Sequence, residues 1–393
     1  MRMKSYFGVS SLATFARVLP QAVLTPILLS KGLQYDSIIW TQVVYMIALT
    51  LFEFPSGLLA DRFSRKKLYV LSIVVIGGAY GIVWFGEGLA VMCVAWAMYA
   101  AGTALSSSTM DIHYASILRD DEPSFRRFFA LDRNVILAAT IISALATSAL
   151  YPLIGIGVYV VSIISFAIAA AYGAIALPKT PIVRESQEEA PPRVLEALRR
   201  DPWLVLAMLL FALTQLAFTP FFQMWQMVFL DVGLDPSWFG VIFVAFQIIN
   251  IASNVAWARL RHRQSVSFAL LGALLALGAG ILAAGGGWTI VLVALIPFPL
   301  FLYSNSLVFS LQSRAPVALM SSMSSLMGTA STIGAILALS ICLLGLQITA
   351  PSVILGGSLI TFGLLSVGLL AVAIRQRFAD SPAQGRDPVE SAA

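Results

Sequence analysis

Twelve apolar runs, each about as long as a bilayer is thick, limit what this chain can fold into more than any other feature. A helix crossing the hydrocarbon core needs roughly 20 apolar residues. Polar breaks leave such runs at 6–29, 37–60, 68–86, 89–112, 128–150, 155–177, 203–229, 236–258, 266–284, 288–311, 318–345 and 351–374. Lipid offers no hydrogen-bond partner to backbone groups, so runs of this length are read as helices. Only 11% of the 393 residues are charged, against about 25% in a soluble domain. That is too little charge to cover a fold in water. It excludes a cytosolic enzyme, a disordered chain, a fibrous repeat and a secreted disulfide scaffold. Cys93 and Cys342 lie inside apolar runs and there are two histidines. Neither a disulfide framework nor a metal cluster is expected, and no cofactor.

The net charge of +5 suggests nucleic acid until the charges are located. Of 24 Lys and Arg, Arg17 and Arg133 fall within runs and Lys31 lies in the first loop. The remaining 21 lie at the termini or in the loops from even to odd runs. By the positive-inside rule both termini are cytoplasmic. The expected place is a bacterial-style inner or plasma membrane, with lipid around the chain and no nucleic acid. The first run has flanks like a signal peptide but no small-residue cleavage site, so it is kept as a span.

The longest internal break, 178–202, is charged and proline-rich. It reads as a cytoplasmic linker with a short amphipathic helix at 194–200. It divides the chain into an N-terminal six-helix bundle, 1–177, and a C-terminal one, 203–374, followed by a tail, 375–393, expected to be disordered. A weak repeat joins the two parts. Gly32-Leu33 follows run one and Gly233-Leu234 follows run seven; basic clusters end run two at 62–67 and run eight at 259–263. Two halves with one loop pattern are a transporter signature.

After run two the chain reads Gly57-Leu58-Leu59-Ala60-Asp61-Arg62-Phe63-Ser64-Arg65-Lys66-Lys67. This resembles the signature loop of the major facilitator superfamily, Gly-x-Leu-Ala-Asp-Arg-x-Gly-Arg-Lys/Arg, with Ser64 at the second glycine. Glu53-Phe54-Pro55-Ser56 resembles the Glu-x-Pro-Ser variant of bacterial efflux-type members. The stretch Gly102-Thr103-Ala104-Leu105-Ser106 to Asp111-Ile112-His113-Tyr114 resembles a degenerate form of a further motif of that group. The resemblance spans the chain by topology and about 30 residues by motif. It implies an all-α fold of twelve transmembrane helices, a central cavity lined by the first and fourth helices of each half, and a cytoplasmic latch at Gly57, Asp61, Arg62 and Arg65. Gly57 lets two helices approach closely, and Asp61 can face the positive end of a neighbouring helix. Antiporter-type members carry an arginine where this chain has Met98, and a Gly-Pro-x-x-Gly-Gly stretch where the fifth run reads ATIISALATSAL.

Ionisable groups inside spans are costly, roughly 2.5–3.5 kcal/mol at mid-membrane, so each is a functional candidate. Thr14, Arg17, Gln21 and Thr25 recur at helical steps on span one, and Asp111 follows Thr103 and Ser107 on span four. Arg17 and Asp111 are expected to face one cavity. The bland alternative is a static ion pair, or an Asp111 near solvent. Glu53, in apolar surroundings before Pro55, is a second candidate proton carrier, or a structural partner of the signature loop. His113 reads as structural. Asp132, Arg133 and Asn134 are expected at the membrane interface, opening span five. The second half has no acid or base in its spans. It has stripes instead: Gln215, Phe218, Phe222 and Gln226 on span seven; Phe243, Gln247, Asn250 and Asn254 on span eight; Phe298, Phe301, Asn305 and Phe309 on span ten. Aromatic walls with few polar groups suit amphipathic ligands, although helix packing explains any single ring as well.

These residues describe a secondary transporter, monomeric and not an enzyme, that exports an amphipathic small molecule in exchange for protons. Asp111 or Glu53 would carry the proton. Uptake or facilitated diffusion of an organic anion, anchored by Arg17, is the second reading. A non-transporting membrane receptor is a third.

Overall fold

The structure is a computed structural model and describes residues 3–107, 109–118, 121–178, 180, 199, 201–260, 264–314 and 320–380. Most of the expected linker with its helix, residues 261–263 of the second basic cluster, and 381–393 of the tail lie outside the described residues. The first half comprises α1 (Met3–Val18), α2 (Leu24–Ser30), α3 (Tyr35–Arg62), α4 (Arg65–Phe85), α5 (Leu89–Ser106), α6 (Met110–Leu118), α7 (Glu122–Ile154) and α8 (Val158–Ala176). The second comprises α9 (Pro202–Leu213), α10 (Gln215–Asp231), α11 (Phe239–Arg259), α12 (Gln264–Ala283), α13 (Gly287–Leu295), α14 (Pro297–Arg314), α15 (Met320–Leu346) and α16 (Pro351–Asp380).

Eleven segments among the described residues are long and apolar enough to cross a membrane. One of them, Glu122–Ala176, is 55 residues long. It contains both α7 and α8, turned against each other at Gly155, whose φ of +52° suits glycine. The expected runs 128–150 and 155–177 therefore share one segment. Several helices start where an aspartate precedes a proline. Asp121, Asp201 and Asp235 accept the N–H of Ser124, Trp203 and Ser237, at 3.4, 2.9 and 2.8 Å, with proline in the first turn. Each cap satisfies an orphan donor of the new helix, and the proline needs none.

The Gly-Leu repeat has a structural counterpart. Helices α2 and α10 end in the same way, with Gly32 at φ +81° and Gly233 at φ +79°. Leu33 N–H returns to the Leu28 carbonyl at 3.2 Å, and Leu234 N–H to the Phe229 carbonyl at 2.9 Å. Both are glycine C-caps of one type, 201 residues apart in sequence, as Thr25 is from Gln226.

Four expectations are corrected. Span four is broken: α5 ends at Ser106, Ser107 is extended at ψ 142°, and Asp111 sits on the separate helix α6. The hydroxyls of Ser106, Ser107 and Thr109 bond back to the carbonyls of Thr103, Ala104 and Ser106, which offers the backbone an alternative to the helix. Span one is broken after Val18. Asp132 lies ten residues inside α7 rather than at its opening. Residues 375–380 of the tail continue α16.

Candidate functional site

The break in the first span exposes carbonyls that lipid cannot satisfy, because α1 stops before Pro20 and a 3-10 turn at Gln21–Val23 leads into α2. Neighbouring helices supply the donors. Ser143 hydroxyl donates to the Phe15 carbonyl at 2.7 Å, Thr147 to Leu19 at 2.6 Å, and Tyr80 to Arg17 at 2.8 Å. Ser143 and Thr147 belong to the ATIISALATSAL stretch that lacks glycine and proline. That helix holds an interrupted neighbour with hydroxyls.

The held end of α1 borders a cavity of about 220 Å³ inside the first half. Tyr6, Ser10, Thr14 and Arg17 form one wall, Tyr69 and Ser72 of α4 another, and Asp111 and Asp132 a third. Arg17 and Asp111 thus line the same space. Among the described residues neither the guanidinium of Arg17 nor the carboxylate of Asp111 has a hydrogen-bond or ion-pair partner. Asp132 was not anticipated there. Its Oδ1 is buried without a donor, while the carboxylate is otherwise a hydrogen-bond partner of the Tyr6 hydroxyl and lies within electrostatic reach of Asp111. Helical spacing carried the signal: Phe128, Ala139, Ser143 and Thr147, on the same face at steps of 3 or 4 through Asp132 and Ile136, are buried. Among the described residues no three His, Cys, Asp or Glu side chains assemble to hold a metal.

A second, smaller cavity of about 70 Å³ lies next along the same helices. Gln21, Gln42, Tyr80, Trp96, Tyr99 and Tyr159 line it, and Gln21 Nε2 donates to the Tyr99 hydroxyl at 3.4 Å. The polar stripe of span one is therefore divided by the helix break. Thr14 and Arg17 face the charged cavity, Gln21 the aromatic one, and Thr25 the other half.

At the offset of 201 residues that relates Thr25 to Gln226, Thr14 corresponds to Gln215, Arg17 to Phe218 and Gln21 to Phe222. The second half thus has rings where the first has its cation and an amide. Phe218 and Phe222 stack with centroids 6.1 Å apart, and Phe301 of α14 packs on both at 5.5 and 6.3 Å. Gln215 Nε2 donates to Ser331 Oγ at 2.7 Å and its Oε1 accepts from Thr219 at 3.1 Å. Asn305 Nδ2 donates to Asn254 Oδ1 at 2.6 Å, tying α14 to α11. Gln247 and Asn250 are half-buried on α11. Gln226 is buried, and backbone groups of the first half engage both ends of its amide.

Glu53 is exposed at the protein surface, at the end of an apolar segment, and is not among the residues lining either cavity. Ser56 hydroxyl donates to its carbonyl at 2.8 Å. In the signature loop Arg62 is exposed and Arg65 is buried. The side-chain surroundings of Gly57 and Asp61 lie outside the described residues. Ser64, at the departing glycine position, caps α4 by accepting the Lys67 N–H at 3.4 Å. Lys66 ties the loop to the end of the half, donating its N–H to Thr180 Oγ1 at 3.0 Å and its ammonium to the Leu177 carbonyl at 2.8 Å. His113, beyond the apolar segment of span four, is held below the ordinary histidine pKa by burial first and by Arg65 second.

The hydrogen bonds between the halves, among the described residues, all lie at the end of the loops near 31–34 and 232–235. Gln226 accepts the Thr25 N–H at 2.8 Å and donates to the Gln21 carbonyl at 2.9 Å. Tyr35 hydroxyl donates to Asp231 at 2.9 Å, and Val241 N–H to Ser148 Oγ at 3.1 Å. Beside the last bond, a Cβ on Gly240 would collide with the Ala144 carbonyl and Ser148. The halves are clasped at this end.

The sequence profile of the Major Facilitator Superfamily matches residues 6–339. No curated protein matches the chain. Solved structures share its fold at low identity. A bacterial homologue of the iron transporter ferroportin, in an inward-facing state, has a TM-score of 0.73 at 14% identity, over 94% of this chain and 97% of the other. The nucleoside transporter NupG has 0.71 at 16% identity, over 96% and 99%. The POT family transporter PepTSo has 0.70 at 12% identity, over 96% and 99%.

Proposed function

Because the chain belongs to the Major Facilitator Superfamily, we propose that this multi-pass membrane transporter of a small molecule works by proton exchange and alternating access between two six-helix halves. The 55-residue segment then supplies two of twelve crossings. The concentration of Lys and Arg at the termini and in the even-to-odd loops supports cytoplasmic termini. The clasped end is then extracytoplasmic and the cavities belong to an inward-facing state, in an inner or plasma membrane. The leading direction is export of an amphipathic molecule by a monomer.

One observation carries this reading: Arg17, Asp111 and Asp132 line a single cavity of the first half, while Phe218 and Phe222 occupy the positions equivalent to Arg17 and Gln21 in the second. Charge handling is assigned to one half and apolar contact to the other. Asp111 and Asp132 are the carboxylates that line this cavity, and the exchangeable proton is assigned to one of the two. The signature loop supplies the latch proposed for Gly57, Asp61, Arg62 and Arg65. The test is purified protein in liposomes with a trapped pH dye, challenged with amphipathic cations, neutral drugs and organic anions. Compound-dependent proton flux that is lost in Asp111→Asn or Asp132→Asn supports the reading; saturable flux of a compound with no proton movement overturns it.

The second reading, uptake or facilitated diffusion of an organic anion, is favoured by the unpartnered guanidinium of Arg17. It predicts saturable anion uptake that Arg17→Ala abolishes.

A further inference from the structure

The charged cavity carries groups of opposite sign that do not pair with each other. At one end a guanidinium lines the wall with no acceptor among the described residues. At the other, a buried carboxylate oxygen of Asp132 has no donor, and Asp111 stands beside it. Asp132 Oδ1 is a buried oxygen that no donor reaches, and buried polar atoms in native proteins are nearly always satisfied; Arg17 and Asp111 are half-buried and face the same space. A static ion pair would be the simplest arrangement, yet Arg17 forms none with either aspartate. The acceptor and the donor needed are of opposite sign and belong at different ends. Between them lies a strip of hydroxyls from Ser10, Thr14 and Tyr69.

We infer that the cavity binds a linear zwitterion, with its carboxylate on Arg17 and its ammonium between Asp111 and Asp132. This rests on the proposed transport function, extends the charge handling of this cavity from the proton to the substrate, and narrows the small molecule to a zwitterion. A guanidinium presents a planar fork that matches a carboxylate in two parallel bonds. An ammonium offers three donors, enough for both aspartates and one hydroxyl. Ser10 and Arg17 are seven residues apart on α1, which rises on the order of 10 Å between them. The two ligand charges are therefore several bonds apart, as in an ω-amino acid or a short peptide. The hydroxyl strip serves the polar middle of such a chain. A plain organic anion leaves the aspartates unmatched, and a plain cation leaves Arg17 unmatched. A ligand that leaves a charged group of the wall unmatched once it has displaced the water there is disfavoured against one that matches both.

The experiment measures binding to the detergent-purified full chain by isothermal calorimetry. The probes are γ-aminobutyrate, ε-aminocaproate and their longer homologues, each with its N-acetyl and carboxamide counterpart. One of the free zwitterions should bind, and capping either end should weaken it at least about tenfold. Arg17→Ala should abolish the preference for acid over carboxamide and keep that for amine over N-acetyl; Asp111→Asn and Asp132→Asn should do the reverse. Arg17→Lys should restore part of the acid preference, which separates a binding role from a folding defect, and a monodisperse elution profile checks each variant. Equal binding of capped and free compounds, or discrimination that no variant changes, overturns the inference. If only an amphipathic cation or an organic anion binds saturably, the substrate class fails and the transport reading stands. If no class binds and none is transported, both fail.

Discussion

Thr25 and Gln226 occupy equivalent positions in the two halves and are bonded to each other. The Gln226 amide accepts the Thr25 N–H at 2.8 Å and donates to the Gln21 carbonyl at 2.9 Å, with both side chains buried. The bond exists because α2 starts inside the protein, where its first-turn N–H groups have no helical acceptor. An amide from the other half serves as the missing cap.

Replacing Gln226 by leucine keeps the volume and removes both bonds. A buried N–H left without a partner costs about 1–3 kcal/mol. The clasped state should lose roughly that much relative to the state open at this end. Spin labels flanking the Tyr35–Asp231 contact should report a longer mean distance in Gln226→Leu. An unchanged distance distribution would show that the clasp does not govern closure.

Gly240 makes a separate prediction. Its Cα passes against the Ala144 backbone, where even one methyl collides. Gly240→Ala should weaken closure and slow transport severalfold, with the protein still folded. Gly272, with nothing within 4 Å of an added Cβ, is the control. Gly272→Ala should leave transport unchanged and raise stability by about 0.5–1 kcal/mol through helix propensity.

Proton exchange should depend on Asp132 and tolerate loss of Glu53. Asp132 lines the cavity beside Asp111, whereas Glu53 is exposed. Asp132→Asn should abolish compound-driven proton flux in liposomes, and Glu53→Gln should retain most of it. The opposite ranking would move the proton carrier to α3.

His113 supplies a pH dependence of stability. Its folded-state pKa is below the ordinary value, through burial first and Arg65 second. As pH falls below about 6.5, the unfolded chain therefore binds protons that the folded one resists, and stability is lost. The thermal midpoint should decline across that range, and His113→Gln should flatten the decline. A decline of equal size in the variant would assign it to other groups.

Much of the architecture was legible because a bilayer demands long apolar runs, and the Gly32 and Gly233 caps were visible as a repeat. Arg17 and Asp111 were legible because charge is rare in such runs. The breaks were harder. The spacing of Thr103, Ser107 and Asp111 reads as one helix face, but three consecutive serines, 106–108, precede Thr109, and hydroxyls at 106, 107 and 109 turn back on carbonyls there. Asp132 was placed by nearness to a run end, while its buried face follows from Phe128 and Ala139. Gln226 looked like a cavity residue because periodicity records a polar face and not its partner, here the backbone of a helix start 201 residues earlier.

The interruption of the first span also makes solvent a reactant. When the halves part at the clasped end, the Thr25 N–H loses its acceptor, and hydrocarbon has none to offer. Hydration must replace Gln226, so the opened state binds water that the closed state excludes. Lowering water activity with an excluded osmolyte should then favour the clasped state and slow turnover, and Gln226→Leu, which has no such bond to exchange, should respond less.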